Sequence, residues 1–420
     1  MGARISWRRL PRIVPLIVVG ALLATTAGLG AGALVHPGDL AGSAPYSFFA
    51  GFLLAIGLFG STHEIDLAAL RRDARGVLVA VTLGVVIKAT LIAGVMLLVF
   101  HDARYLVLGI AVAQIDPLSV AAMRASSRMS PRAKALLFAW ASFDDPVTVL
   151  LSLYFSILAF RLSGREGSPT AGPAGDGLGA YLSDLGLNLA LVAAAFAVFV
   201  VLRSLRRPAR AAPQGRLADL LSLAALVGVF LVAAQWTLML AVALTGLFFR
   251  VGTYAKVIDR AVATAFLVAS FALGLLLVNG VDLLPALVLG VAAFGAQALV
   301  SLVVVPVLKH GLSRRDRVHL ALGQQNGITA IILALALEPD FRGTVGIVAP
   351  AILIVNVLHY ASNGALNRFA DDPSPSPADE PGTGAARLGA PASGPADPGP
   401  PDSGPPFDAC ASAPRAESET

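Results

Sequence analysis

The sequence predicts an all-α polytopic membrane protein with about twelve transmembrane helices. Of its 420 residues, 56% are hydrophobic and 14% are charged, and the mean hydropathy is +0.76. A soluble domain carries about 25% charged residues. Apolar runs of roughly 20 residues, the length that crosses ~30 Å of hydrocarbon as a helix, recur along the chain. These runs are continuous rather than alternating, which argues against a transmembrane β-barrel.

Twelve candidate spans follow from the apolar runs. Their ranges are 12–35, 46–60, 75–100, 104–123, 133–160, 181–202, 217–233, 236–250, 261–279, 283–307, 317–337 and 344–367. Span one is too long for the apolar part of a signal peptide, so we expect it to be retained. The N-terminal segment and the loops after the even-numbered spans are rich in Arg and Lys. This alternation predicts a multi-pass protein of the cell membrane with both termini cytoplasmic.

Bulk composition argues against several classes of function. The net charge of +5 comes mainly from arginines in short loops, as topology requires, so we predict no nucleic-acid partner. The single cysteine, Cys410, allows neither a disulfide within the chain nor a multi-thiolate metal site. We predict no cofactor and no resident metal. No phosphate-binding GxxxxGK[ST] motif occurs, which argues against an ATP-driven pump.

The composition changes sharply near residue 371. Beyond it Pro, Gly, Ser and Ala dominate and large apolar side chains nearly vanish. Such a segment buries too little surface to offset its ordering entropy. We therefore predict a transmembrane domain at 1–370 and a disordered cytoplasmic tail at 371–420.

Four charged residues lie deep inside the predicted spans, away from their ends. They are Lys88, Asp116, Asp144 and Asp145. A charge at the centre of a transmembrane helix costs at least ~2.5–3.5 kcal/mol, so each is a candidate functional residue. Span eleven carries no central charge but has a polar cluster near its middle. Its members are Gln324, Gln325, Asn326 and Gly327.

Proline follows two of the carboxylates, in Asp116–Pro117 and Asp145–Pro146. Proline removes a helical hydrogen bond and breaks or kinks a helix, and we expect the span that holds Pro146 to open there. Irregular backbone at membrane depth is tolerated where it lines a cavity, and secondary transporters build their sites on such discontinuous helices. Spans four and eleven are predicted to be two unwound, crossing helices.

The polar groups of these spans suit a hard monovalent cation, which prefers oxygen ligands. The predicted ligands are Asp145, Asp116, Ser142, Thr148 and local carbonyls. A carboxylate in a low dielectric can hold either a proton or a metal cation near neutral pH. That competition predicts exchange of one ion for the other.

Asp144 and Asp145 cannot both face one ligand, because neighbouring residues point about 100° apart on a helix. We therefore hypothesise that Asp144 pairs with Lys88 while Asp145 binds the ion. Structural alternatives stay open. Asp116 and Asp145 can serve as N-caps, Lys88 can snorkel, and the polar cluster of span eleven can join helices by hydrogen bonds.

Four stretches resemble the monovalent cation:proton antiporters of the sodium/hydrogen exchanger superfamily. LLAIGLFGSTHEIDLAALRRDARG (53–76) is similar to a family run that ends in a basic loop. AQIDPLSV (113–120) is similar to the Thr-Asp-Pro motif, and SFDDP (142–146) to the Asp-Asp or Asn-Asp motif. QQNGITAIILALAL (324–337) occupies the place of the second unwound helix. The resemblance covers about residues 50–365.

The resemblance implies an inverted-repeat antiporter fold, a homodimer in the lipid bilayer, and exchange of Na⁺, K⁺ or Li⁺ for H⁺. Asp145 matches the family's essential ion-binding aspartate, Asp144 the position before it, and Asp116 the aspartate of the unwound helix. The supporting set is Ser142, Thr148, Lys88, Gln297, Gln325 and Asn326. Gln297 and Asn326 stand where many members have Lys and Arg, so the choice of ion and the stoichiometry stay open.

Other functions remain as alternatives. An ion channel or sensor on the same fold, or a sodium-coupled transporter of organic solutes, would use similar residues. An intramembrane aspartyl protease also uses two membrane aspartates, but its Gly-x-Gly-Asp stretch is missing at these positions. We therefore predict a transporter and no enzymatic activity.

Overall fold

The computed structural model describes residues 10–35, 37, 40–63, 65, 80–116, 120, 129–165, 169, 177–206, 213–249, 255–307 and 312–369. These residues form helices and short connections, and no strand occurs among them. The predicted tail at 371–420 lies outside the described residues and stays a prediction.

The helices are labelled in chain order. They are α1 (Leu10–Val35), α2 (Ala44–His63), α3 (Val85–Phe100), α4 (Arg104–Ala111), α5 (Pro131–Leu162), α6 (Gly177–Arg206), α7 (Pro213–Trp236), α8 (Met239–Phe248), α9 (Ala255–Leu277), α10 (Leu283–Val307), α11 (Arg314–Ala321), α12 (Ile328–Leu337) and α13 (Thr344–Phe369). A π-helical turn, Ala80–Gly84, precedes α3.

Length and hydropathy make this a polytopic membrane protein. Among the described residues, eight helices are long and apolar enough to cross a membrane, and shorter apolar helices accompany them. Many leucines and valines on their outer faces are exposed in the isolated chain, as expected of surfaces that face lipid. The predicted spans at 217–233 and 236–250 are indeed separate helices, because the chain turns at Thr237, whose φ is 56°.

The helices pack in two sets. The first set contains α1, α2, α6, α7, α8 and α9, and the second contains α3, α4, α5, α10, α11, α12 and α13. Most contacts between the sets involve α2 and α9, which pack against α12 and, in part, against α5 and α13. The buried charges of the predicted site all belong to the second set.

Glycines let α1 and α9 approach closely. A Cβ at Gly28 would lie 2.0 Å from the carbonyl oxygen of Phe271, and one at Gly274 would lie 2.0 Å from that of Thr25. Small residues at membrane helix interfaces allow backbones to touch, where van der Waals packing replaces the hydrophobic effect.

The chain leaves the helical conformation in two described segments. The segment between α11 and α12 confirms the predicted break in span eleven, whereas most of span four beyond Asp116 lies outside the described residues. The first interruption, residues 112–116, follows α4, and the second interruption, residues 322–327, separates α11 from α12. By contrast, the prediction that the helix opens at Pro146 is wrong, since α5 is continuous from Pro131 to Leu162. Pro146 still cannot donate to the carbonyl of Ser142, but this single loss does not end the helix.

Caps fix the adjacent starts of α5 and α11. The hydroxyl of Ser130 accepts from the Ala133 amide, and Ser313 forms a capping box with Asp316. Asp316 also accepts from the backbone amide of Ser130 over 2.8 Å, which ties the two helix starts together. Burial raises the pKa of Asp316, but hydrogen bonds from Ser130 and Ser313 outweigh it, so the pKa lies below its ordinary value.

Candidate functional site: a pair of buried carboxylates beside two helix interruptions

The two interruptions are joined by hydrogen bonds. The backbone amide of Asp116 donates to the carbonyl of Gln325 over 2.9 Å. The side-chain amides of Gln324 and Asn326 donate to the carbonyl of Gln114 over 2.8 and 3.0 Å. Backbone groups that lack helical partners are therefore satisfied by the opposite segment, which keeps irregular backbone stable at this depth.

Asp144 and Lys88 form a fully buried ion pair, as the pairing hypothesis expects. Both side chains are 0% exposed, and the Lys88 ammonium contacts the carboxylate Oδ2 of Asp144 directly. The same oxygen accepts from the backbone amide of Ile115 over 3.0 Å. A buried charge is tolerated when it is paired and hydrogen-bonded, and Asp144 meets both conditions.

Asp145 has different neighbours, although it is the next residue on α5. Its Oδ2 accepts from the hydroxyl of Thr329 over 2.7 Å. In the amide orientation that matches donors with acceptors, Gln114 donates to Oδ1 of Asp145 over 2.7 Å. Ser61, on α2, lies near the same carboxyl group, and its hydroxyl donates to the carbonyl of Leu58 over 3.1 Å. These donors are all neutral, and the charges that act on Asp145 are those of Asp116 and Asp144.

Asp116 lies at the end of the first interruption and is 6% exposed. Its carboxyl group packs against Gly327, where a Cβ would lie 2.4 Å from both Cγ and Oδ2 of Asp116. Glycine is required at position 327 because any side chain would occupy the volume of the carboxyl group. The three aspartates predicted for the site therefore lie close together.

The supporting residues divide between the site and its surroundings. Thr148 reaches Oδ1 of Asp144 over 3.5 Å, whereas the Ser142 hydroxyl donates to the Phe138 carbonyl of its own helix. The side-chain amide of Gln297 donates to Ser301 and to the carbonyl of Leu320. Asn326 joins the interruptions, and Gln325 contacts His359 on α13. The side-chain hydrogen bonds of Ser142 and Gln297 described above thus go to groups other than Asp145.

Sequence reasoning missed two residues that hydrogen-bond Asp145, Gln114 and Thr329, and a third that lies near it, Ser61. Gln114 and Thr329 each lie within two residues of a motif that was recognised, in AQIDP and QQNGIT. A polar residue close to a predicted helix break could have identified both, because side chains beside such a break face the protein interior. Ser61 gives no such signal, because it comes from a separate helix of the first set.

Three comparisons with known proteins identify the family and the fold. The family profile described as "Sodium/hydrogen exchanger, transmembrane" matches residues 1–358. The fold is similar to that of the sodium proton antiporter MjNhaP1 from Methanocaldococcus jannaschii at pH 8, with a TM-score of 0.58 and 16% sequence identity, over 85% of this chain and 100% of that chain. An electron-microscopy structure of the same antiporter matches with a TM-score of 0.49 and 17% identity, over 86% and 93% of the two chains. A search of curated protein sequences returns no significant match.

Proposed function

Because this chain belongs to the sodium/hydrogen exchanger family, we propose that Asp145 alternately binds a proton and a monovalent cation. The cation is Na⁺, with K⁺ and Li⁺ as the other candidates. Exchange balances at the carboxyl group: a proton leaves the acid as a cation binds the carboxylate, and the reverse occurs on the other side of the membrane.

The observation that carries this proposal is that neutral groups donate the hydrogen bonds to Asp145, whereas Asp144 is paired with the Lys88 ammonium. A buried carboxylate without a counter-cation is stabilised by taking up either a proton or a metal cation. Asp144 is held by the Lys88 ammonium and does not need either. Asp145 is therefore the carboxylate whose occupant can change, and Asp116 is the second acid close enough to share a cation.

Further oxygen ligands lie in the interruptions. The carbonyls of Val112 and Gln114 point at the amide groups of Asn326 and Gln324. When the Asn326 amide turns, its own oxygen and these carbonyls become available to a dehydrated cation, which prefers such hard ligands. The interruptions can thus supply neutral oxygens that complement the carboxylates.

Alternating access requires the site to change its exposure between the two membrane faces. Ser61 belongs to α2 of the first set, which packs against α5 of the second set near Asp145. We propose that the second set moves against the first and that this contact is broken and remade in each cycle. We further propose that the protein is a homodimer in the cell membrane. We propose that both termini lie in the cytoplasm, because the charge pattern of the loops favours that orientation.

The test is dye-reported ΔpH in everted vesicles from a host that lacks its own antiporters, with Na⁺, Li⁺ and K⁺ added separately. We expect cation-dependent dequenching with wild type and none with Asp145→Asn. Asp184→Asn is the matched control, since Asp184 is also buried in a span but hydrogen-bonds Tyr154 and Asn188. No response to any cation with folded wild-type protein, or an active Asp145→Asn variant, would contradict the proposal.

A further inference from the structure

Two tyrosine hydroxyls form hydrogen bonds across the boundary between the two sets of helices. The hydroxyl of Tyr46, on α2 of the first set, donates to the backbone carbonyl of Leu335, on α12 of the second set, over 2.9 Å. The hydroxyl of Tyr154, on α5 of the second set, donates to Oδ2 of Asp184, on α6 of the first set, over 3.0 Å. Each set thus contributes one tyrosine that binds the other set.

The carbonyl of Leu335 needs a partner from outside its own helix. In a continuous helix it would accept from the backbone amide of residue 339, four positions on, but that residue is Pro339, which has no N–H. The Tyr46 side chain is buried, with 6% of its surface exposed, and its hydroxyl supplies the missing donor. Breaking this contact leaves a buried carbonyl without its donor, which costs free energy. The Tyr46 contact therefore favours the arrangement of the two sets that the structure shows.

The acceptor of Tyr154 is held in the first set by the start of another helix. The side-chain amide of Asn188 donates to Oδ2 of Asp184 over 3.1 Å, and its Oδ1 accepts from the backbone amide of Ala241 over 2.8 Å. Ala241 is the third residue of α8, and the first four amides of a helix have no partner within it. The Asp184 carboxyl group is thereby fixed to α6 and α8, and Tyr154 connects it to α5.

Both tyrosine contacts lie on the same side of Asp145. Tyr154 follows Asp145 by nine residues on α5, a rise of about 14 Å. The second residue of α12 hydrogen-bonds Asp145, and Leu335 lies near the far end of that helix. The far ends of α5 and α12 meet, since the ring centroids of Phe160 and Phe341 are 6.5 Å apart. In the proposed orientation, with both termini in the cytoplasm, this is the outer side of the membrane.

We propose that Tyr46 and Tyr154 are positioning residues that hold the outer side of the protein closed while the carboxylate site is open toward the cytoplasm. This inference rests on the proposed exchange by alternating access. Opening the outer side requires the two sets to separate there, so both hydroxyls must leave their acceptors. The free energy of the two contacts then enters the equilibrium between the two access states, and removing either hydroxyl shifts that equilibrium toward the outward-open state.

The first test measures opening of the outer side without transport. Cys410→Ser removes the single native cysteine, and Ser152→Cys is introduced as the reporter. Ser152 is 0% exposed and lies on the same face of α5 as Asp145, between that residue and Tyr154. Right-side-out vesicles are treated with a maleimide that does not cross the membrane. Ser163→Cys is the accessible reference, because Ser163 is exposed at the end of α5.

Tyr46→Phe and Tyr154→Phe keep the rings and remove the hydroxyls, so each should raise the labelling rate of Ser152→Cys about two- to tenfold. The two effects should multiply in the double variant, because the contacts share no residue. Tyr360→Phe is the matched control and should change nothing, since Tyr360 is 70% exposed. A wild-type labelling rate in the double variant would overturn the proposal. So would a Ser152→Cys reporter that reacts as fast as Ser163→Cys before either tyrosine is changed, or a Ser163→Cys reference that does not react from outside.

The second test separates an effect on access from a loss of structure. The apparent affinity for a ligand rises with the population of the state that binds it. In Tyr154→Phe the cation KM measured from the outer side should therefore fall by a similar factor, whereas the KM from the cytoplasmic side should not fall. Right-side-out and everted vesicles give the two values, and an unchanged outer KM or a fall on both sides would overturn the proposal. If wild type exchanges no cation at all, the proposed exchange fails, while the labelling rates still decide whether the tyrosines close the outer side.

Discussion

Asp144 and Asp145 are neighbours in sequence and equally buried, yet they lie in opposite electrostatic environments. Asp144 contacts a lysine ammonium and a backbone amide. Asp145 contacts hydroxyl and amide donors and is close to two other carboxyl groups. The difference arises because residues i and i+1 of a helix point about 100° apart and so meet different partners. One carboxylate suits a permanent ion pair, and the other suits an occupant that changes.

The largest effect on stability is expected from Lys88→Met, which leaves Asp144 buried without its cation. Breaking one side of a buried pair costs about 3–5 kcal/mol, and we expect a clear fall in Tm in detergent. Asp145→Asn removes no counter-charge and should lower the Tm much less. The double variant Lys88→Met/Asp144→Asn should recover most of the loss. A wild-type Tm for Lys88→Met alone would show that the pair does not hold the fold together.

Gly327→Ala tests the opposite side of the site, where Asp116 packs against the second interruption. The new methyl group would collide with the carboxyl group, and overpacking of this kind costs about 1–3 kcal/mol. We expect exchange to be largely lost while the protein still folds. Gly295→Ala is the matched control, since no atom lies within 4 Å of a Cβ built there. Equal activity of the two variants would mean that the position of Asp116 is unimportant for exchange.

Thr329→Val should act on Asp145 and leave Asp144 undisturbed. The hydroxyl of Thr329 donates to the carboxylate form of Asp145, and its loss should raise the cation KM. A loss of about 1.4 kcal/mol corresponds to a tenfold weaker affinity. Thr329→Ser keeps the hydroxyl and should behave like wild type. The KM is measured from the cation dependence of ΔpH dissipation, and an unchanged KM for valine would remove Thr329 from the site.

Ser142→Ala is expected to have the smallest effect, although the sequence places Ser142 among the predicted ligands. Its hydroxyl donates to a carbonyl of α5 rather than to either carboxylate. We expect a change in unfolding free energy within about 0.5 kcal/mol and an unaltered cation KM. An increase in KM like that of Thr329→Val would show that Ser142 turns toward the ion during transport.

The helix interruptions show which helix breaks can be predicted from local sequence and which cannot. Asp116–Pro117 and the polar cluster at 324–326 predicted breaks in spans four and eleven. The break in span eleven is present at 322–327, and α4 ends at Ala111, before Asp116. Pro146 predicted another break, but α5 runs through it. A proline removes one hydrogen bond, and whether the helix ends there depends on the packing of its neighbours, which the local sequence does not contain.

By itself the sequence determined the membrane class and identified Lys88, Asp116, Asp144 and Asp145 as buried charges. Hydrophobic length and the cost of burying charge depend only on residue type and spacing, so they can be read from the chain alone. Only the tertiary structure decided that Thr329, Gln114 and Ser61 surround Asp145 and that Gln297 lies elsewhere. Those contacts join residues up to 184 positions apart. They depend on how α2, α5 and the two interruptions pack together, and no periodicity within one segment encodes that packing.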